Sequence, residues 1–202
     1  MNILLETQFL PPIPYWKHFF AAETVIIDDK ERYIKRSYRN RCTIATANGP
    51  LNLSIPLKQG KTLLTITEVQ IDYSRPWQKE HWHSILSAYG RSAFFEYYKD
   101  EFKVVFLQEI PLLFDYNLQL LKLICRFLSL PNNKIKLLSE CEGMVFTDYR
   151  NTVSHQLPAN HYPLTTPYSQ PFADRFGFLP NLSIIDLVFN EGKGTLDMLK
   201  RD

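Results

Sequence analysis

Asn2-Ile3-Leu4-Leu5-Glu6-Thr7-Gln8-Phe9-Leu10-Pro11-Pro12-Ile13-Pro14, followed by Tyr15-Trp16-Lys17-His18-Phe19-Phe20-Ala21-Ala22-Glu23-Thr24-Val25-Ile26-Ile27-Asp28-Asp29, is the stretch that decides the fold. Ile3-Leu4-Leu5 reads as a short buried strand. Three prolines then turn the chain, and Pro12 or Pro14 falls in the opening turn of a helix over residues 15–22, where a missing N–H costs nothing. Thr24-Val25-Ile26-Ile27 is β-branched and apolar, which suits a second buried strand, and Asp28-Asp29 ends it. Strand, helix and strand in so few residues predict a parallel βαβ start.

Downstream the pattern changes twice. Residues 41–47 and 51–57 are strand-like runs joined through Asn48-Gly49, the favoured centre of a tight hairpin turn. Residues 64–71 read as a third run of the same kind. The period then shifts to 3.6. Trp77, His81, Trp82, Ile85, Leu86 and Tyr89 fall on one helical stripe. Phe94, Phe95, Tyr98, Phe102, Val105 and Phe106 mark a second helix. Leu113, Leu118, Leu121, Ile124 and Leu128 mark a third, which Pro131 closes. Residues 134–139 suit a strand. Residues 140–180 carry recurrent prolines and no clear period; a stretch of that kind inside a domain is usually functional or mobile. Asn181 is placed to cap a last helix over residues 182–189, with Gly192 as its stop. The expectation is one α/β domain over residues 1–202. Its mixed sheet combines the βαβ start with an antiparallel hairpin section, and helices pack against it.

Composition excludes several function classes. With 45% hydrophobic and 22% charged residues the chain is neither disordered nor fibrous. A net charge of +2 gives no general attraction for nucleic acid. The most apolar long stretch, residues 112–130, is interrupted by Asp115, Lys122 and Arg126, so no membrane span is expected. Met1-Asn2-Ile3-Leu4-Leu5 lacks the basic start of an export signal, and three widely spaced cysteines do not form a disulfide framework, so a cytoplasmic location is expected. Gly60-Lys61-Thr62 ends like a phosphate-binding loop, but Ile55 stands where that loop needs glycine. His81 and His83 point to nearly opposite faces of a helix and cannot share a metal there. No cofactor or metal is expected.

One segment is chemically uneven. Residues 30–41 hold Lys30, Arg32, Lys35, Arg36, Arg39 and Arg41 against the single acid Glu31, with Tyr33 and Tyr38 interleaved. Guanidiniums offer forked donors that suit phosphate or carboxylate, and the segment follows a predicted strand end, where open α/β sheets bind ligands. The same run also reads as a solvated basic loop. Asp29 reads either as a general base or as a turn residue. His81 and Trp77 read as core packing or as site residues. Asp186 is the charged residue in an otherwise apolar helical run, so it must be paired; an arginine such as Arg39 or Arg41 is the expected partner, either for structure alone or beside a ligand.

The order and spacing of several pieces resemble the WbqC-like family. They are Tyr38-Arg39-Asn40-Arg41, Ile44, Asn48-Gly49, Ile55-Pro56-Leu57, Ile71-Asp72, Pro76-Trp77, His81-Trp82 and Ala88-Tyr89. Tyr168, Gln170, Phe172 and Gly177-Phe178 follow, and then Pro180-Asn181-Leu182-Ser183-Ile184-Ile185-Asp186-Leu187-Val188-Phe189-Asn190. Leu5-Glu6-Thr7 stand where many members carry His-Gln-Pro, so a histidine role there does not transfer. The resemblance implies a place in bacterial surface-polysaccharide (O-antigen-type) biosynthesis, and a transferase moving an acyl or aminoacyl group such as glycine to a sugar. It implies a sugar or sugar-nucleotide partner. A non-catalytic binding or assembly protein of the same pathway is the alternative. On the enzyme reading, Lys35, Arg36, Tyr38, Arg39, Asn40 and Arg41 clamp an anionic donor. Asp29 or His81 serves as base with Asp186 beside the ligand, Trp77 offers a platform, and Gln170 and Asn181 orient the acceptor.

Overall fold

The chain forms two sheets, one parallel and one antiparallel, with helices packed around them. The structure, a computed structural model, describes residues 1–58, 64–154 and 167–200. Gly60-Lys61-Thr62, Pro158 and Pro163 lie outside the described residues.

The opening is the expected βαβ unit. Strand β1 (Asn2–Leu5) pairs parallel with β2 (Thr24–Ile27), and helix α1 (Ile13–Ala21) crosses between them behind Pro12. A third parallel strand, β5 (Ile135–Leu137), adds beside β2. A short fourth, β6 (Thr147–Asp148), adds on the far side of β1. The order is therefore β5-β2-β1-β6. Strand β6 lies in the stretch whose sequence shows no period; two residues cannot display one.

Residues of β1 and β2 alternate between two apolar layers, as a pleated strand buried on both faces requires. Ile3, Leu5, Val25 and Ile27 join the main core with Phe9, Trp16, Phe102 and Phe189. Leu4 and Ile26 face the other way and meet Leu138, Cys141, Met144 and Phe146. The cysteines at 42, 125 and 141 are buried and unpaired.

Strands β3 (Arg41–Thr46) and β4 (Gly49–Ser54) make the antiparallel pair in a sheet of their own. Their turn sits one residue earlier than the Asn-Gly signal suggests. Thr46 pairs with Gly49, so Ala47-Asn48 form the loop, and Gly49 takes the left-handed φ of 102° just after it. A type I turn followed by a positive-φ glycine is the next common hairpin solution. The strand expected over 64–71 is replaced by a single 3₁₀ turn, Ile66–Glu68, flanked by isolated bridges. Glu68 bonds back to the Thr65 backbone and hydroxyl, and that local cap competes with strand pairing.

The three apolar stripes are helices α2 (Trp77–Tyr89), α3 (Phe95–Phe106) and α4 (Leu113–Phe127). A one-turn helix α5 (Ala173–Phe176) precedes α6 (Ile184–Glu191) and α7 (Thr195–Lys200). Gly192 ends α6 as expected, but the N-terminal flanking residue is Ser183, not Asn181. The Ser183 hydroxyl instead donates to the Leu10 carbonyl at 2.9 Å, and the Ile184 N–H donates to Pro11 at 2.9 Å. These bonds fasten α6 to the exit of β1.

Candidate functional site

In an open parallel sheet the carboxyl ends of the strands carry the ligand, at the point where successive connections leave in opposite directions. Here β2 and β5 extend the sheet to one side of β1, and β6 lies on the other side. The switch therefore falls between β1 and β6. The residues that leave these strands are Glu6, Thr7 and Gln8 after β1, and Tyr149, Arg150 and Asn151 after β6. Asp28 leaves β2 alongside them.

These residues build a buried ionic cluster. The Arg39 guanidinium grips Glu31 with two nitrogens, Nε donating to Oε1 at 3.0 Å and Nη2 to Oε2. Nη2 also donates to Asn151 Oδ1 at 3.2 Å. Arg150 bridges two acids, Asp28 at 2.6 Å and Asp148 at 2.6 Å. Glu6 has no cation within salt-bridge distance among the described residues. Its Oε2 accepts the Asn151 backbone N–H at 3.0 Å and its Oε1 accepts Gln8 Nε2 at 2.7 Å. Glu6, Gln8, Asp28 and Arg39 are each nearly wholly buried. Burial pushes the Glu31 carboxyl up to about 7; Arg39 opposes the rise, and Glu6 and Asp28 add to it.

A cleft of about 190 Å³ opens beside the cluster, lined by Glu6, Gln8, Ser37, Tyr38, Arg39 and Asn151, with Ile34, Val153 and Ser154 at its margins. That volume suits a single small headgroup, since pockets for larger ligands run from about 300 Å³ upward.

The residues singled out in the sequence disperse. Arg39 and Tyr38 line the cleft. Lys35 and Arg36 are exposed, Arg36 at a left-handed φ of 56°. Asn40 is spent on structure, accepting from Tyr33 at 3.0 Å and donating to the Ile55 carbonyl at 3.0 Å. Arg41 opens β3, and its Nε is buried with no hydrogen-bond partner. Asp29 accepts the Ser139 N–H at 3.0 Å, which makes it a loop anchor beside β5. Trp77 is buried among Tyr73, Phe106 and Tyr116. His81 stands edge-on to Trp77, and burial lowers it to about 4, so its ring is neutral. Gln170 clamps the Leu179 backbone in both directions, at 2.9 and 2.8 Å. Asn181 lies in the turn before α6 at φ 61°.

Asp186 is fully buried, as expected, but among the described residues no arginine meets it. Its Oδ2 accepts the Tyr168 hydroxyl at 2.6 Å. Burial pushes its carboxyl up to about 6, against the pull of Tyr168, Tyr89 and Gln170. Arg39 is not available to Asp186, because its fork already holds Glu31.

Glu6, Gln8 and Asn151 in the cleft, and Glu31 and Arg150 in the cluster beside it, are candidate residues that no sequence motif marks. Glu6 carries a usable signal, because it is a charged residue set directly at the end of a buried apolar strand. Arg150 and Asn151 carry none, since nothing local marks β6.

The fold and the cleft define a class, a small α/β protein with a cleft at the switch of a four-stranded parallel sheet among the described residues. The WbqC-like protein family matches residues 7–163, and the chain belongs to that family. It is also similar to "Uncharacterized protein Rv1507c" of Mycobacterium tuberculosis (strain ATCC 25618 / H37Rv), with 26% identity over 98% of this chain and 96% of the relative. No solved structure matches. Among the described residues, no helix is long and apolar enough to cross a membrane.

Proposed function

We propose that this protein is a transferase of bacterial surface-polysaccharide assembly, moving an acyl or aminoacyl group such as glycine onto a sugar or sugar nucleotide held at the β1–β6 switch. The observation that carries the reading is the convergence of buried Glu6, Gln8, Arg39 and Asn151 on one cleft at the carboxyl edge. Family membership supports the pathway. Acyl transfer to a hydroxyl or amine needs a proton acceptor beside the acceptor atom. Glu6 fills that role, because it is the carboxylate that lines the cleft. Glu31 stands behind Arg39 and holds its guanidinium in place. Asp29, His81 and Asp186 take no part in this version.

The test is product analysis by mass spectrometry after incubation with activated amino acids and a panel of sugar nucleotides. Glu6→Gln should lower turnover by about 100-fold or more, the span of general-base catalysis, while the protein stays folded. Turnover unchanged in that variant removes Glu6 from the mechanism. A second reading, a binding protein without chemistry, is favoured by one observation: the Arg39 fork is already filled by Glu31 and Asn151, so it is not free to clamp an anionic donor. Sugar-nucleotide binding with no product in any combination selects that reading.

A further inference from the structure

The charge of the cleft runs opposite to that of the basic segment beside it. Among the described residues, Glu6, Asp28, Glu31 and Asp148 stand against Arg39 and Arg150, and each guanidinium is already engaged by carboxylate. Among the same residues Glu6 meets neutral donors and no cation. The lysine and arginine of the outer loop, Lys35 and Arg36, are exposed and absent from the lining.

Gln8 supplies an independent observation. It lines the cleft and is 97% buried, with 3% of its surface exposed. Its Nε2 donates both to Glu6 Oε1 at 2.7 Å and to the Val153 carbonyl at 3.1 Å. Two acceptors on the nitrogen fix the amide orientation, because a flipped amide would set oxygen against oxygen twice. The Oε1 atom is thereby committed, and among the described residues it has no hydrogen-bond partner. A buried amide oxygen without a donor costs free energy and is rare in a folded protein. An uncompensated acid and an idle acceptor on one wall ask for the same ligand group, one that is positively charged and rich in N–H.

We propose that the cleft formed by Glu6, Gln8, Arg39 and Asn151 recognises an ammonium group, so that the moiety seated there is an amine-bearing sugar or aminoacyl group and not the phosphate of a sugar nucleotide. This rests on the cleft being the substrate site. It names the chemical class that the site selects, and it assigns the basic loop no role in the selection. The ammonium donates to Gln8 Oε1 and lies against the Glu6 carboxylate, while Arg39 stays neutralised by Glu31.

Three sugars that differ at one carbon test this: 6-amino-6-deoxyglucose, glucose and glucose 6-phosphate carry an ammonium, a hydroxyl and a phosphate there. The readout is NMR titration of the full-length protein, following the side-chain amides of Gln8 and Asn151. The ammonium sugar should bind at least about tenfold more tightly than glucose, the scale of one hydrogen bond to a charged group, and glucose 6-phosphate more weakly than either. The Gln8 amide should move most. Glu6→Gln should erase the preference for the ammonium sugar, and retained dispersion of the spectrum reports that the variant is folded. If that variant does not fold, the order of the three sugars on the native protein decides alone. Equal affinities, or an amide response largest for the phosphate sugar, would overturn the inference while leaving the cleft as a site. Sugar binding that leaves both amides unmoved would overturn the inference and the cleft reading together.

Discussion

Two buried carboxylates in this protein face opposite surroundings. Glu31 lies at the carboxyl edge of the parallel sheet, gripped by the Arg39 fork and next to Glu6 and Asp28. Asp186 lies on α6 with the Tyr168 hydroxyl as its close donor and, among the described residues, no cation beside it. Both are raised above the usual carboxylate range by burial. Among the described residues a cleft opens beside the first. The contrast teaches that burial alone raises a carboxyl, and that its partner, a guanidinium or a hydroxyl, decides whether it joins an ionic network. Asp186 ties the 167–170 segment to α6. Glu31 belongs to a network that reaches solvent through Glu6 and Arg39.

The largest effect expected from this contrast is at Arg39. Changing Arg39→Met strands Glu31 as a buried anion, and breaking a buried pair in this way costs about 3–5 kcal/mol. The loss should be greatest at pH 8 and smaller at pH 6, where Glu31 takes up a proton. Urea denaturation at the two pH values measures it, and a loss under about 1 kcal/mol at pH 8 would break the distinction between the regions.

A second comparison uses the pH windows. A carboxyl raised in the folded state contributes stability that is full below its unfolded pKa and is lost as pH rises through the folded one. For Glu31 the window runs from 4.5 to about 7, and for Asp186 from 3.8 to about 6. Each shift is worth roughly 3 kcal/mol across its window. His81 acts in the other direction. Its folded pKa of about 4 lies below the ordinary 6.5, so its contribution is full above 6.5 and lost as pH falls toward 4. Subtracting the wild-type curve removes that term. The Glu31→Gln difference curve should change up to about pH 7, and the Asp186→Asn curve should be flat above about pH 6. Coincident curves would show that the two acids do not differ.

The smallest effect concerns Tyr168. Removing its hydroxyl in Tyr168→Phe leaves Asp186 short of a donor, at a cost of about 1–3 kcal/mol. Ligand binding at the cleft should not change. Weakened binding in that variant would join the two regions into one site.

Much of this arrangement is legible in the residues. The apolar runs at 3–5 and 24–27 and the prolines between them predict the parallel pair that the structure contains. The hairpin is legible to within one residue, because the positive-φ glycine can sit inside the turn or just after it. The burial of Asp186 is legible from its apolar flanks. Its partner is not, because an arginine near in sequence to a strand end has several acids in reach. The Arg39–Glu31 pair lies inside the segment that reads as an anion clamp, and the lone acid of that run neutralises the residue expected to do the clamping.

By itself the sequence determined the local elements and their faces: β-branched apolar runs make buried strands, aromatic stripes at helical spacing make helices, and glycine and proline end them. These forces act between near neighbours, so a linear pattern records them. The tertiary structure alone decided the site. Asn151 meets Glu6 across 145 residues, and Arg150 meets Asp28 across 122. Those meetings depend on β6 adding on the far side of β1, and no local periodicity encodes which edge of a sheet a two-residue strand will join.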